Sequence, residues 1–204
     1  MNTSLTTIAR VLASLSLAGA AAGAQAFDTA WADWTTKLST TSVSGTLTLP
    51  SGIVKVKFSG PTLYFSQVDA GATDYWVSGS PDAYAATGEP TGSDLLGFVG
   101  GTDTQVYKIT FSKPVTNPVV AILSLGRNGV PTRYVFTQTP TLLSSGVGFY
   151  GGCADCLKVK RKTVTGTEGH GVVQFIGTFS AISWKQPDYE FWHGMTIGAP
   201  LAGN

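Results

Sequence analysis

The sequence predicts an all-β protein, an antiparallel two-sheet sandwich of the jelly-roll type. Only 12% of its residues are charged, and its 25 glycines and 10 prolines supply turn-forming positions along the whole chain. From Val43 onwards, short runs alternate between apolar and polar residues, which is typical of half-buried strands. About ten such runs follow one another with Gly/Pro turns between them, and no internal repeat indicates a propeller or a solenoid.

The N-terminal residues 1–26 have the features of a secretory signal peptide. Arg10 precedes the short apolar run 11–22, and Ala24-Gln25-Ala26 supplies the small-x-small pattern that precedes cleavage. We therefore expect residues 27–204 to form a single β-sandwich domain that is exported to the periplasm, the cell surface or the exterior. No later segment approaches the ~20 apolar residues that a membrane-spanning helix needs, so no membrane insertion is expected.

The charge of the predicted mature chain limits its partners. Arg10 is one of 13 Lys and Arg residues, so its removal leaves 12 cations against 12 Asp and Glu residues and a net charge of zero. Nucleic acids and anionic membranes are bound through a strong basic excess. A neutral chain therefore disfavours both classes of partner.

Residues 27–41 form the one mature segment with a helical pattern. Four apolar residues have the spacing of one helical face, namely Phe27, Trp31, Trp34 and Leu38. Asp28 is in the position of an N-cap, so one short N-terminal helix is possible. The alternative is an aromatic-rich extended arm that crosses the sandwich. In either case we expect the aromatic rings to pack on the domain.

Two kinds of strand are expected in the body of the domain. The segment Ile53–Phe58 alternates, which places Lys55 and Lys57 on a solvent-facing side. The segment Val119–Leu125 is almost entirely apolar, as expected for a strand that is buried on both faces. The sequence thus predicts that part of the sheet is covered on both sides.

The segment Asp69–Gly101 is long for a connection and rich in Gly, Ser, Thr, Asp and Pro. Exported neutral sandwiches bind sugars by laying pyranose rings on exposed aromatic side chains flanked by polar partners. The segment contains such a set, so a glycan or surface polymer is the expected ligand. The expected ligand-binding residues are Tyr75, Trp76 and Tyr84, with Asp74 and Asp82. The alternative is that the three rings cap the end of the sandwich.

The same segment also carries a weak calcium signal. Asp69 and Asp74, with nearby backbone carbonyls in a glycine-rich loop, supply the oxygen ligands that calcium prefers. Their spacing is not that of an EF-hand, and a solvated polar loop is the competing interpretation. Calcium is the one cofactor that the sequence makes possible.

The two cysteines, Cys153 and Cys156, are expected to form a local disulfide, because exported proteins fold in an oxidising compartment. A CxxC redox motif and half of a zinc site are the alternatives. A redox motif requires a helix after the first cysteine, whereas the following residues Lys158–Lys160 alternate like a strand.

The rarest polar residues lie together in the C-terminal part of the chain. If the strands that carry Glu168, His170, Glu190 and His193 pair with each other, their side chains converge. Two carboxylates at ~5–10 Å from each other would suit glycoside hydrolysis, and two histidines with a glutamate would suit zinc. The sequence contains no HExxH or GxSxG motif. The structural alternative is that these side chains satisfy backbone groups at turns.

Several C-terminal segments resemble a known group of proteins. They are 111–118 (FSKPVTNP), 121–126 (AILSLG), 168–171 (EGHG), 174–179 (QFIGTF), 182–184 (ISW) and 190–194 (EFWHG). Together they resemble exported bacterial β-sandwich proteins of the PEP-CTERM-associated type. The resemblance implies an envelope or matrix location and no established catalytic activity. The final residues 199–204 carry no sorting motif, so we expect a soluble secreted form.

The sequence therefore predicts a secreted, non-catalytic extracellular or envelope binding protein, with carbohydrate as the ligand. The first alternative is a secreted hydrolase that uses Glu168 and Glu190, with His170 and His193 assisting or holding a metal. The second alternative is a structural matrix protein without a small ligand.

Overall fold

The computed structural model describes residues 26–69 and 73–204. The predicted signal peptide therefore lies outside the described residues, apart from Ala26. The described part contains strands, turns and irregular segments but no helix, so the all-β prediction is confirmed. Accordingly, no helix in these residues is long and apolar enough to span a membrane.

Fourteen strands make up the described fold, and every pair of them is antiparallel. They are β1 (Thr29–Trp31), β2 (Asp33–Ser39), β3 (Ser42–Leu49), β4 (Gly52–Ser59), β5 (Phe65–Gln67), β6 (Leu95–Thr116), β7 (Val119–Leu125), β8 (Thr132–Phe136), β9 (Pro140–Gly148), β10 (Gly151–Gly152), β11 (Leu157–Lys160), β12 (Thr163–Gly166), β13 (Gly169–Phe175) and β14 (Thr178–Pro200). The jelly-roll arrangement of two sheets is not confirmed, because hydrogen bonds join all fourteen strands in one sheet.

The long strands β6 and β14 are the axis of this sheet. They pair from Thr178 opposite Thr116 to Met195 opposite Leu96, with register shifts where the ribbon bends. The C-terminal half of β14 continues through β7, β13, β9 and β10, and we call this part the first wing. The N-terminal half of β14 pairs with β8 on one side and with β6 on the other. The sheet continues beyond β8 through β12 and β11, and beyond β6 through β4, β3 and β2; we call this part the second wing.

The main core lies between the two wings. Val120 and Ile122 of the first wing belong to the same buried cluster as Phe58 and Trp184 of the second. Tyr107 and Trp184 stack with their ring centroids 5.7 Å apart. Burial raises the pKa of Tyr107 to about 12, as expected for a phenol in an apolar setting.

A second core lies on the outer side of the first wing. Along β7, Val120 and Ile122 face the main core, whereas Val119, Ala121 and Leu123 belong to the second cluster. All seven residues of β7 are buried, which confirms the prediction of a strand covered on both faces. The described part of the long loop, residues 73–94, supplies the cover through Trp76 and Tyr84.

The N-terminal segment, residues 27–41, is extended. The prediction of a short helix is therefore wrong, and the alternative of an extended segment agrees with the structure. β1 pairs with the end of β14, and β2 pairs with β3. Trp31 belongs to the second core and Trp34 to the main core. A helix would place these residues on one face, whereas a strand turns residues an odd number apart to opposite faces. Leu38, which completed the helical pattern, is 54% exposed.

Candidate ligand-binding cleft

The long loop does not present Trp76 and Tyr84 to solvent. Both residues are 0% exposed, and their ring centroids are 5.7 Å apart within the second core. Trp76 Nε1 donates a hydrogen bond to the carbonyl of Asp94 at 3.1 Å, and the Tyr84 hydroxyl donates to the carbonyl of Ile122 at 3.4 Å. The prediction of an exposed platform from these two rings is wrong, because the apolar outer side of the first wing needs cover.

The carboxylates of Asp74 and Asp82 hold these buried rings in place. Each accepts a hydrogen bond from the backbone N–H two residues further on, at 2.9 Å from Trp76 and 2.7 Å from Tyr84. This is the turn in which an aspartate replaces a backbone acceptor. Both aspartates therefore act as local caps of the loop.

Tyr75 is only partly buried, packs against the second core and belongs to a surface group of rings. We call this group the aromatic cluster; its members are Tyr64, Phe65, Tyr75, Phe149, Tyr150, Phe191 and Trp192. Tyr75 lies at its centre, with ring centroids 5.0 Å from Phe149, 5.3 Å from Trp192, 6.2 Å from Tyr150 and 6.4 Å from Phe65. Such edge and offset contacts are the favoured geometries for aromatic pairs.

Three separate strand regions join the loop to build the cluster. Tyr64–Phe65 enters β5, Phe149–Tyr150 is the tip of the β9–β10 hairpin, and Phe191–Trp192 lies in β14. Four of the rings remain substantially exposed, from 41% for Phe149 to 67% for Phe191. A group of exposed, mutually contacting rings of this kind is a candidate interaction site.

An open cleft of about 560 Å³ lies among these rings. Its walls are Tyr64, Phe65, Gln67, Tyr75, Tyr150 and Trp192. The volume is within the range of ~300–1,000 Å³ that small-ligand sites occupy. The Gln67 amide donates to the backbone carbonyls of Thr73 and Ser93, so this polar group is held in one orientation on an otherwise aromatic wall.

Two glycines make the close packing of the cluster possible. A Cβ atom at Gly97 would lie 2.6 Å from the ring of Phe65. A Cβ atom at Gly148 would collide with the ring of His170, which is fully buried beneath the β9–β10 hairpin. Any side chain at either position would displace an aromatic ring or the hairpin that carries two of them.

Glu168 and His170, two of the predicted site residues, support this hairpin together with Ser124. The Ser124 hydroxyl donates to Glu168 Oε1, and the Ser124 backbone N–H donates to His170 Nδ1 at 3.3 Å. Glu168 Oε1 also lies 3.5 Å from His170 Nε2, without hydrogen-bond geometry. Ser124 and Glu168 have φ values of 53° and 62°, a strained conformation that concentrates at functional sites.

The Glu168 carboxylate also acts on the aromatic cluster. Partial burial, the neighbouring Tyr75 and then the charge of Glu168 raise the pKa of Tyr150. The Glu168 side chain is 23% exposed. Glu168 is thus a partly accessible carboxylate whose charge reaches Tyr150, although it does not line the cleft itself.

Glu190 and His193 form a different, buried group. The strands that carry Glu168–His170 and Glu190–His193 do not pair, because β7 lies between β13 and β14. Glu190 Oε2 accepts the N–H of Gly126 at 2.8 Å and lies 2.9 Å from His193 Nδ1. Glu190 thus satisfies a backbone group in the interior, as the structural alternative expects.

Metal ligation has little support in the geometry of the described residues. Among residues 26–69 and 73–204, no group of three or more His, Cys, Asp or Glu side chains is arranged to hold a metal ion. Asp74 caps the loop and Asp69 is exposed, so calcium binding at this pair stays a prediction. Cys153 and Cys156 form the predicted disulfide, which is confirmed and rules out their use as zinc ligands.

Sequence reasoning missed six of the seven cluster members, although a usable signal was present. Aromatic residues occur in consecutive pairs at 64–65, 75–76, 149–150 and 191–192. Successive side chains of an extended chain point to opposite sides, so at least one ring of such a pair tends to face outwards. Tyr75 and Trp76 show this division, because Trp76 fills the second core and Tyr75 joins the surface.

Comparison of the chain with protein-family models, with curated proteins and with solved structures finds no match.

Proposed function

We propose that this protein is a secreted, non-catalytic binding protein that holds a carbohydrate in the aromatic cleft. The observation that carries the proposal is the cleft itself, in which Tyr75, Tyr150 and Trp192 contribute rings around a fixed amide from Gln67. Sugar rings stack their apolar faces on aromatic side chains and use polar groups to fix orientation. The cleft combines both kinds of contact in a space that fits a short saccharide.

The ligand set of this proposal differs from the one that the sequence predicted. Tyr75 stays in it, whereas Trp76 and Tyr84 are core residues, and Asp74 and Asp82 cap the loop. Trp192, Tyr150 and Tyr64 take the place of the lost rings. Glu168, whose charge contributes to the raised pKa of Tyr150 and whose side chain is 23% exposed, is the carboxylate that would accept hydrogen bonds from the hydroxyls of a saccharide extending beyond the cleft.

The hydrolase alternative receives no comparable support. It needs two accessible carboxylates that face one substrate, and Glu190 is buried with its Oε2 atom bound to Gly126 and His193. The fold alone assigns no chemistry. The matrix-protein alternative stays a prediction. It would be favoured if the test below finds no saccharide ligand.

The test is a glycan-array screen followed by titration of each ligand found, with and without calcium. We expect Tyr75→Ala and Trp192→Ala to weaken binding by ~10-fold or more each, since a ~10-fold loss corresponds to ~1.4 kcal/mol, which is about the contribution of 60 Å² of buried apolar surface. Tyr189→Ala is the matched control, because Tyr189 is 71% exposed and lies outside the aromatic cluster. Binding to no glycan, or equal loss in all three variants, would overturn the proposal.

A further inference from the structure

The outer side of the second wing carries most of the positive charge of the described chain. In β4, β6, β8, β11 and β14, buried residues alternate with exposed cations. The cations that point outwards are Lys55, Lys57, Lys108, Arg133, Lys158, Lys160 and Lys185. We call this surface the basic face.

The strand register shows that these side chains share one surface. Lys160 is opposite Thr163, Thr163 is opposite Val135, and Val135 is opposite Lys185, so one row crosses four strands. In the parallel row, Lys158 is opposite Thr165, which is opposite Arg133. Adjacent strands are ~4.8 Å apart and alternate residues of a strand ~7 Å apart, so the cations form a regular two-dimensional array.

Two grooves cross this array, and both combine cations with hydroxyl groups. One has a volume of about 660 Å³ and includes the β11–β12 turn, where Arg161 and Lys162 add two further cations. Its other walls are Thr139, Lys160, Thr163 and Thr165. The second groove has a volume of about 490 Å³ and lies beside Lys55 and Lys57. Its hydroxyl groups come from Thr35, Ser44, Thr46, Thr110 and Ser112.

Few acidic groups neutralise the basic face. Within the described residues, Arg133 is the one cation of this face that makes an ion pair, with Asp188 at 2.7 Å. Asp33 lies at its far edge, where it is opposite Thr46. Three other acidic side chains, those of Asp74, Asp82 and Glu89, accept backbone N–H groups of the loop that covers the first wing. The carboxylate of Asp94 accepts the backbone N–H of Trp34.

This segregation changes the conclusion drawn from net charge. The chain after residue 26 is neutral overall, yet nine of its 12 cations lie on one surface. Seven of the nine are in strands and two are in the β11–β12 turn. A local array of like charges raises the concentration of an oppositely charged partner regardless of the total. The prediction from net charge concerns nucleic acids and anionic membranes, and it does not exclude an acidic polymer of another class at this face.

The shape and chemistry of the basic face favour one class of polyanion. The outer positions of its described strands carry no aromatic side chain for stacking bases, and the face of a sheet several strands wide does not enter the groove of a duplex. Their exposed apolar side chains are the single aliphatic residues Leu38, Ile53 and Val106, and they lack the Trp and Phe residues with which proteins insert into a lipid surface. What they offer is hydroxyl groups between cations, which match a chain of sugar hydroxyls with carboxylates or sulfates.

We propose that the basic face is a second binding surface, and that it binds an acidic polysaccharide bearing uronate or sulfate groups. The cations pair with the anionic groups, and the Thr and Ser hydroxyls bond to the sugar hydroxyls along the two grooves. The proposal does not depend on the aromatic cleft, which lies on a different part of the molecule.

The experiment measures binding of labelled dextran sulfate and polygalacturonate, with uncharged dextran as the reference polymer. We expect both polyanions to bind with an affinity that falls as salt is raised. The double variants Lys158→Glu/Lys160→Glu and Lys55→Glu/Lys57→Glu should each weaken binding by ~10-fold or more, since charge reversal replaces attraction with repulsion. All four lysines are exposed, so the fold should survive the changes.

The matched control is Arg127→Glu, at the turn between β7 and β8 and outside both grooves. It is compared with the single variants Lys158→Glu and Lys55→Glu, which make the same change in net charge. We expect less than ~2-fold loss for this control, since distant surface charges are screened. Trp192→Ala should bind dextran sulfate normally, which separates this surface from the cleft. The proposal is overturned by absence of polyanion binding, by equal loss in the control or in Trp192→Ala, or by tighter binding to single-stranded nucleic acid or to anionic vesicles.

Discussion

The rings of Tyr75 and Trp192 meet edge to face, with centroids 5.3 Å apart and planes at 68°. This contact joins the long loop to the bent part of β14 and fixes the floor of the aromatic cleft. Of the five tryptophans, Trp192 is partly buried, and the other four, Trp31, Trp34, Trp76 and Trp184, are buried. The intrinsic fluorescence of the protein therefore contains one component that solvent can reach.

The first prediction concerns that fluorescence. Acrylamide should quench one tryptophan component of the wild-type protein, and Trp192→Phe should remove this component because the remaining indoles are buried. A saccharide that occupies the cleft should protect it from quenching. Collisional quenching that persists unchanged in Trp192→Phe would contradict the assignment.

The second prediction separates the two neighbours Tyr75 and Trp76. Trp76→Ala should lower the free energy of unfolding by about 3–5 kcal/mol, because it opens a cavity in the second core and leaves the carbonyl of Asp94 without its indole partner. Tyr75→Ala removes a partly exposed ring and should cost much less. Denaturant unfolding of both variants measures the difference. Similar losses in the two would refute the division into core and cleft residues.

The third prediction tests the support of the β9–β10 hairpin. Gly148→Ala should weaken saccharide binding, because the added methyl group displaces the His170 ring and with it the hairpin that holds Phe149 and Tyr150. Gly129→Ala is a useful control for the effect of a methyl group at a turn, since a Cβ there meets nothing within 4 Å. Gly129 has a positive φ of 77°, so some loss of stability is expected in the control without loss of binding. Titration and thermal unfolding of both variants provide the comparison.

Residue alternation was enough to predict the class of fold. The exposed lysines of β4 follow from a period-two pattern and the burial of β7 from its nearly continuous apolar run, and both are confirmed. The spacing of Trp31 and Trp34 wrongly predicted a helix. The same spacing arises here because both residues lie in strands, where Trp31 packs into the second core and Trp34 into the main core. No local pattern distinguishes these cases, since the second core exists only after the loop has folded over β7.

The candidate site was predictable only in part, for a related reason. Polarity placed Tyr75, Trp76 and Tyr84 in one surface loop, but the loop is polar because its aspartates cap backbone groups above a buried apolar layer. The aromatic cluster unites four segments that are distant in sequence, and only the register of β5, β9 and β14 brings them together. Its local trace in the sequence is the set of consecutive aromatic pairs.

The fourth prediction concerns acid stability. The hydrogen bonds and the charge of Arg133 hold the pKa of Asp188 below its usual value. A carboxyl group with a lowered folded-state pKa stabilises the protein above its unfolded pKa of ~3.9, and this contribution disappears as the pH falls through the lower folded value. Asp188→Asn should therefore be less stable than wild type at neutral pH, by no more than ~1 kcal/mol for so accessible a pair. The two proteins should converge in strong acid, and Asp33→Asn serves as a control without such a pair.

The fifth prediction follows from the same ion pair and has the opposite sign. Asp188 neutralises Arg133, the one cation of the basic face with a carboxylate partner in the described structure. Asp188→Asn frees this guanidinium for a polyanion, so dextran sulfate should bind more tightly, by about 2-fold, even though the variant is less stable. Arg133→Gln also breaks the pair but removes the cation, and it should not gain affinity. A gain in both variants would show that the negative charge of Asp188 acts at long range, and a gain in neither would place Arg133 outside the polyanion surface.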